Sequence, residues 1–175
     1  MQPSAELEQL MARYHQGDAA AVTELVQRLS PQLHRFFLAQ FLSRRYADDL
    51  LQETWLRIHQ ARHTYRPGEP VLPWIYALAR HVRVDHYRRT RRREDRELQV
   101  KALPVTPAAQ PAGSRGPDVQ EMLRELPESQ REVLVMLKVS GMSIEEVARA
   151  TSSSVGSVKQ KAHRAYEKLR RLYEA

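Results

Sequence analysis

SIEEVARATSSSVGSVKQKAHRAYEKLRRL, residues 143–172, is the stretch on which the reading of the fold turns. Ser143 followed by Glu146 forms a capping box, in which hydroxyl and carboxylate each satisfy a backbone N–H that the first helical turn leaves open. A short helix with Ile144, Val147 and Ala148 on one face therefore starts here. The polar ATSS ends it, and Ser154 can cap a second, longer helix. On that helix Val155, Val158, Ala162, Ala165, Leu169 and Leu172 recur at alternating steps of three and four, an apolar seam made for burial. Ser157, Gln160, His163, Arg164 and Glu167 share the opposite face, flanked by Lys159 and Lys161. A short capped helix, a tight turn and a longer basic helix make a helix-turn-helix pattern, whose second helix enters a DNA major groove with its N-terminal turns on base edges. Ser157, Lys159, Gln160, His163 and Arg164 are the residues so placed.

The same helical period runs through the rest of the 175 residues, and no strand-like alternation interrupts it. Ahead of residue 143, Val119, Met122, Leu123 and Leu126 give one helix, and a second runs from Ser129 to about Val139 before Gly141. Near the N-terminus Ser4 can cap a helix to about Tyr14. Asp18 can cap the next, through Val22, Leu25, Val26 and Leu29, which Pro31 should break or kink before the pattern resumes at Leu33, Phe36, Phe37 and Phe41. A third starts near Asp48 and buries Leu51, Thr54, Trp55 and Ile58. The proline-rich loop of residues 64–73 precedes a fourth, with Ile75, Leu78, Ala79 and Val82 inward. Four of ten prolines fall between residues 97 and 117, which reads as a flexible linker. The expected architecture is all-α, with small helical domains at residues 1–96 and 118–175 joined by the linker at 97–117.

Composition narrows the function. Lys and Arg exceed Asp and Glu by 28 to 21, a net charge of +7 that favours a polyanionic partner. The absence of cysteine excludes disulfides, cysteine-bound zinc and a cysteine nucleophile, and fits a reducing compartment. No Gly-rich phosphate loop occurs, the N-terminal MQPSAELEQLM is no signal peptide, and the apolar run at residues 36–42 is too short to cross a bilayer. The seven histidines are scattered; His59 and His63 lack an HExxH setting, and His81, Asp85 and His86 sit among arginines that would repel a cation. No catalytic residues, metal site, cofactor or small-molecule substrate are expected.

Two further faces carry information. Arg80, Arg83, Tyr87 and Arg91 fall on one helical stripe that ends in the run Arg88–Arg93, with Tyr65, Arg66 and Trp74 just ahead. Arginines interleaved with aromatics suit single-stranded nucleic acid, where bases stack and the backbone follows the cations. Asp49, Gln52, Glu53 and Leu56 line an acidic helix face with a leucine left outside, suited to docking on a protein. These residues also leave open a dimeric helix-turn-helix regulator, a histidine-metal nuclease, and a basic patch on an anionic membrane.

The chain resembles the extracytoplasmic-function (ECF) group of bacterial sigma factors, the dissociable initiation subunits of RNA polymerase. DDLLQETWLRIHQARHTYRPGEPVLPWIYALARHVRVDHYRR is similar to region 2 of that family. LPESQREVLVMLKVSGMSIEEVARATSSSVGSVKQKAHRAYEKLR is similar to its region 4. The resemblance implies a cytoplasmic factor that directs core polymerase to promoters, recognises −35 and −10 elements and assists opening. Asp49, Gln52, Glu53 and Leu56 would dock on the clamp coiled coil of the β′ subunit, and the β flap is the other polymerase element implied as a partner. His63, Tyr65, Arg66, Trp74, Arg80, His81, Arg83 and Tyr87 would meet the single-stranded −10 element. Ser157, Lys159, Gln160, His163 and Arg164 would read the −35 element. An anti-sigma factor, in this family often membrane-anchored, is the other implied partner. The chain departs from the family pattern in having His81 where Asn is common, Arg83 where a small residue is common, Lys161-Ala162 for Arg-Leu or Arg-Ile, and no Gly or Ile in the turn ATSSSV.

Overall fold

The computed structural model of the chain describes residues 3–40, 44–98 and 119–173, and all regular structure among them is helical. α1 (Pro3–His15) and α2 (Ala19–Leu38) form an antiparallel pair. Asp18 caps α2: its Oδ1 accepts from the N–H groups of Ala20 and Ala21 at 2.9 and 3.3 Å. The Arg13 guanidinium, 2.6 Å from the other carboxylate oxygen, holds this acid below its ordinary value. Gly17 makes the turn at φ 93°, a conformation in which a side chain would be strained.

Pro31 does not end α2, so of the break or kink expected there the break does not occur. The helix continues to Leu38 with Pro31 on its exposed side. An interior proline costs about 3 kcal/mol. Leu25, Leu29, Leu33, Phe36 and Phe37 are fully buried along one continuous stripe. At about 1.5–3 kcal/mol per large side chain, that stripe outweighs the proline.

α3 (Arg44–Ala61) starts four residues before the expected point. Its deepest positions are Ala47, Leu50, Thr54 and Ile58, with Leu51 and Trp55 half-buried, so the inward face is rotated slightly from the expected one. Thr54, with no exposed surface, satisfies its hydroxyl on the Leu50 carbonyl at 2.7 Å. Trp55 donates its indole N–H to Ser30 Oγ at 3.0 Å, tying α3 to α2. A 3₁₀ turn (Arg62–Thr64) and a loop lead into α4 (Val71–Leu98), where Pro73 sits in the first turn. Tyr76 meets Phe36 edge-on, ring centroids 5.3 Å apart, at the centre of this four-helix body.

The second half comprises α5 (Val119–Arg124), α6 (Glu128–Lys138), α7 (Ile144–Ala150) and α8 (Val155–Tyr173). Arg131 donates to the Leu123 and Leu126 carbonyls at 3.1 and 3.0 Å, closing the end of α5. The capping box at Ser143 is formed: Glu146 N–H donates to Ser143 Oγ at 3.1 Å, and Ser143 N–H to Glu146 Oε2 at 2.8 Å. The α7–α8 turn places Ser152 at φ 50°. Ser154 Oγ accepts from Ser157 N–H at 3.1 Å, as its capping position requires. Val158, Ala162 and Ala165 are buried against α6 and α7, whereas Leu172, expected at the end of the seam, is 44 % exposed.

The halves do not stand apart. α7 packs along α4, and the buried apolar residues of both form one connected cluster. The linker expected at 97–117 lies outside the described residues except for its first two, which belong to the last turn of α4.

Candidate nucleic-acid interface

α8 presents the helix-turn-helix face as its sequence implies. Capping by Ser154 and burial of Val158, Ala162 and Ala165 fix the rotation of the helix, and that rotation turns Lys159, Gln160, His163 and Arg164 to solvent. Ser157 is half-buried at the base of this face, and Gly156 beside it is exposed. His163 lies 3.5 Å from Glu167, one turn on. Donors and cations thus line the first three turns of a protruding helix, the part a major groove admits.

α4 divides its arginines. Arg91, Arg88 and Tyr87 are exposed, Tyr87 by 62 %. They line a cleft of about 450 Å³ with Arg83, Val84, Arg92 and Glu128. Arg80 and Arg83, further up the same stripe, are already engaged. Arg80 Nε donates to both oxygens of Glu132 at 3.0 and 3.1 Å. Arg83 donates from Nη1 to Glu128 at 2.5 Å and from Nη2 to Glu132 at 3.1 Å. Arg83 is 9 % exposed and Glu132 only 4 %. The Arg83 guanidinium beside Glu128 holds that carboxyl below its ordinary value. Arg83, expected on a free cationic track, is therefore an interior ion pair in this arrangement. The reason lies on α6, whose two acids arrive from a distant part of the chain.

The loop ahead of α4 also differs from expectation. Tyr65 is buried, its ring 5.5 Å from that of Trp74 and its hydroxyl donating to the Glu69 carbonyl at 2.6 Å. Burial, with Glu8 and Glu69 nearby, pushes its pKa up to about 12. A ring so enclosed shapes the loop and offers no face to a base. Trp74 is half-buried and points its indole N–H at Thr64 Oγ1, 3.3 Å away. His63, Arg66 and His81 are exposed. Tyr76, sequence neighbour of Trp74, is a core residue whose pKa burial pushes up to about 12, offset in part by Ser140.

On α3 the acidic face is open. Asp49 and Gln52 are exposed, Glu53 half-exposed, and Leu56 52 % exposed, a large apolar group that the fold leaves uncovered. Arg57 lies 3.9 Å from Glu53 and 3.6 Å from Asp85 of α4, so the edge of this face is braced against the neighbouring helix. Among the described residues no helix is long and apolar enough to cross a membrane, and no three His, Asp or Glu side chains group as metal ligands would.

Sequence reasoning missed Glu128 and Glu132. Their spacing of four marks one face of α6, but the partner of that face comes 45–52 residues earlier in the chain, a separation that helical periodicity does not report.

Comparison with known proteins bears on both halves. Residues 25–93 match the family described as Sigma-70 region 2, and residues 118–169 match Sigma-70, region 4. The RNA polymerase sigma factor CarQ of Myxococcus xanthus is 32% identical over 168 residues, covering 93% of this chain and 94% of that protein. The ECF RNA polymerase sigma factor SigD of Mycobacterium tuberculosis is 32% identical over 180 residues, covering 94% of this chain and 82% of SigD. Among solved structures, CnrH in complex with the cytosolic domain of CnrY superposes with a TM-score of 0.75 at 25% identity, over 97% of each chain.

Proposed function

The chain belongs to the ECF family of RNA polymerase sigma factors and is a promoter-specific transcription initiation factor, and from that premise we propose which of its surfaces do which part of the work. The capped, protruding α8 reads the −35 element in the major groove through Ser157, Lys159, Gln160, His163 and Arg164. The loop of residues 62–70 and the exposed side of α4 hold the unpaired −10 strand. His63, Arg66, His81 and Tyr87 are exposed there, Trp74 half so, and Arg80 and Arg83 become available once their carboxylate partners leave. Tyr65 supports the loop from within. Asp49, Gln52, Glu53 and Leu56 dock on the β′ clamp coiled coil, and the second half meets the β flap. Residues 1–96 and 118–175 act as the two functional units. The factor works in the cytoplasm, under an anti-sigma partner, and contributes binding energy and no catalysis of its own.

The observation that carries this reading is α8: a helix whose rotation is fixed by a cap and a three-residue seam, and whose outward face is donors and cations from its first turn. Run-off transcription on genomic fragments with core polymerase, with and without the chain, tests it. The expected result is new transcripts from discrete starts that share sequence about 10 and 35 base pairs upstream. Transcripts unchanged by the chain would overturn it.

A further inference from the structure

We propose that Glu128 and Glu132 hold the chain shut by occupying Arg80 and Arg83 as internal substitutes for DNA phosphates, so that promoter engagement requires these carboxylates to let go. The inference rests on the reading of α4 as the −10 segment and adds to it a regulated, closed form.

Four observations converge. The carboxylates take up the two arginines that the exposed stripe of α4 would otherwise offer to a strand, with four contacts between 2.5 and 3.1 Å. The contact joins the two halves, since α7 lies along α4 and Arg149 reaches Glu69 at 3.3 Å. The junction is also incompletely satisfied: Arg83 Nε is buried without a hydrogen bond. A junction whose central guanidinium keeps one buried N–H without a partner is one that water or a ligand can compete for.

The last observation is one of reach. A compact chain of this length has a radius of gyration of about 16 Å. Elements centred roughly 20–25 base pairs apart, at ~3.4 Å per pair, lie about 70–85 Å from each other on straight duplex. α4 and α8 cannot serve both elements while α7, joined to α8 by a short turn, is packed on α4. The closed form and the promoter-bound form are therefore exclusive, and the ligand of the second competes for the arginines that fasten the first.

The absence of cysteine makes the test direct, because introduced thiols are unique. Dyes on Gln60→Cys and Lys168→Cys, both at exposed positions, report the distance between the halves in the full chain. The Glu128→Gln, Glu132→Gln variant keeps side-chain volume and both Arg80 and Arg83. It is expected to lengthen that distance, with helicity unchanged by circular dichroism. It should also tighten binding of a fluorescein-labelled, mixed-sequence single strand about tenfold, the gain from releasing a form closed for ~90% of the time. A distance and a strand affinity both equal to those of the unsubstituted chain would overturn the proposal.

A second arm does not depend on that variant folding. Glu69→Cys with Arg149→Cys, joined by a thiol-cleavable bismaleimide, fixes the closed form. The linked chain should be silent in run-off transcription and regain activity when the linker is cut. Equal activity before and after cutting would overturn the proposal. If instead the unsubstituted chain gives no promoter-specific transcript, the promoter reading fails, and the dye distance and strand affinity still decide the latch.

Discussion

α4 and α8 are both long helices with an arginine-bearing face, yet the structure leaves them in opposite states. On α8, Lys159, Gln160, His163 and Arg164 stand in solvent on a helix held only from behind. On α4, Arg80 and Arg83 are wrapped by Glu132 and Glu128, while Arg88, Arg91 and Arg92 are exposed. Residue type and helical position are alike; what differs is whether another element arrives with carboxylates. A cationic face is thus a capacity, and the packing around it decides whether the capacity is on offer.

The largest test of that contrast is Arg83→Ala. It leaves the buried Glu132 without one of its partners, and breaking a buried pair costs about 3–5 kcal/mol. Hydrogen exchange in α7 and the middle of α4 should rise sharply while α1 and α2 keep their protection. Uniform protection across the chain would mean that the pair contributes little to joining the halves.

The α3 face provides the control, since it is open whichever way the halves sit. Glu53→Lys with Leu56→Ala should weaken binding to core polymerase by about 1–3 kcal/mol, the range of an interface hot spot. It should leave the distance between the halves unchanged. An unaltered affinity for core in a pull-down titration would remove this face from the docking surface.

For α8, Lys159→Ala with Arg164→Ala should lower the magnitude of the log–log salt slope of duplex binding by about 2, one per lost phosphate contact. Fluorescence anisotropy on a mixed-sequence duplex reads this. The same slope in the variant would make these two cations ordinary solvated groups and collapse the contrast with α4.

The smallest expected effect is on pH. The folded pKa of Glu128 lies below the ordinary glutamate value because Arg83 hydrogen-bonds the charged form. Its contribution to closure is therefore complete above the ordinary value and is lost as pH falls through the lower folded one. Its side chain is 65% exposed, so solvent screens the pair and the effect is a fraction of a kcal/mol. The dye distance should lengthen in the unsubstituted chain as pH falls below the ordinary carboxylate range. In Glu128→Gln that acid response should shrink.

What could be read from the sequence divides along the same line. Asp18, Ser143 with Glu146, and Ser154 were legible because a cap is a local event, settled within three residues. The exposed Leu56 was legible because period alone places it opposite Thr54 and Ile58. The break at Pro31 does not occur because a local rule meets a five-residue buried stripe worth more than the rule. Leu172 is more exposed than its place in the seam predicts, because periodicity names a face and says nothing of how closely other helices cover it. Arg83 and Tyr65 were legible as residues of the right type in the right segment. Their partners, Glu128 and Glu132 for one and the enclosed loop for the other, depend on tertiary packing that a one-dimensional pattern does not hold.

The Arg83–Glu132 contact has a consequence for how the molecule would fare in a cell crowded with DNA. A genome offers about 10⁶–10⁹ non-specific sites, and each phosphate a protein can neutralise adds to its retention on them. A chain of net charge +7 with every arginine on display would be spread along that lattice, far from the polymerase it must find. Two arginines kept on carboxylates are two phosphates fewer in every chance encounter. Under the proposed role of Arg80 and Arg83, the factor's free concentration would be raised by withholding the contacts that give it affinity at the right place.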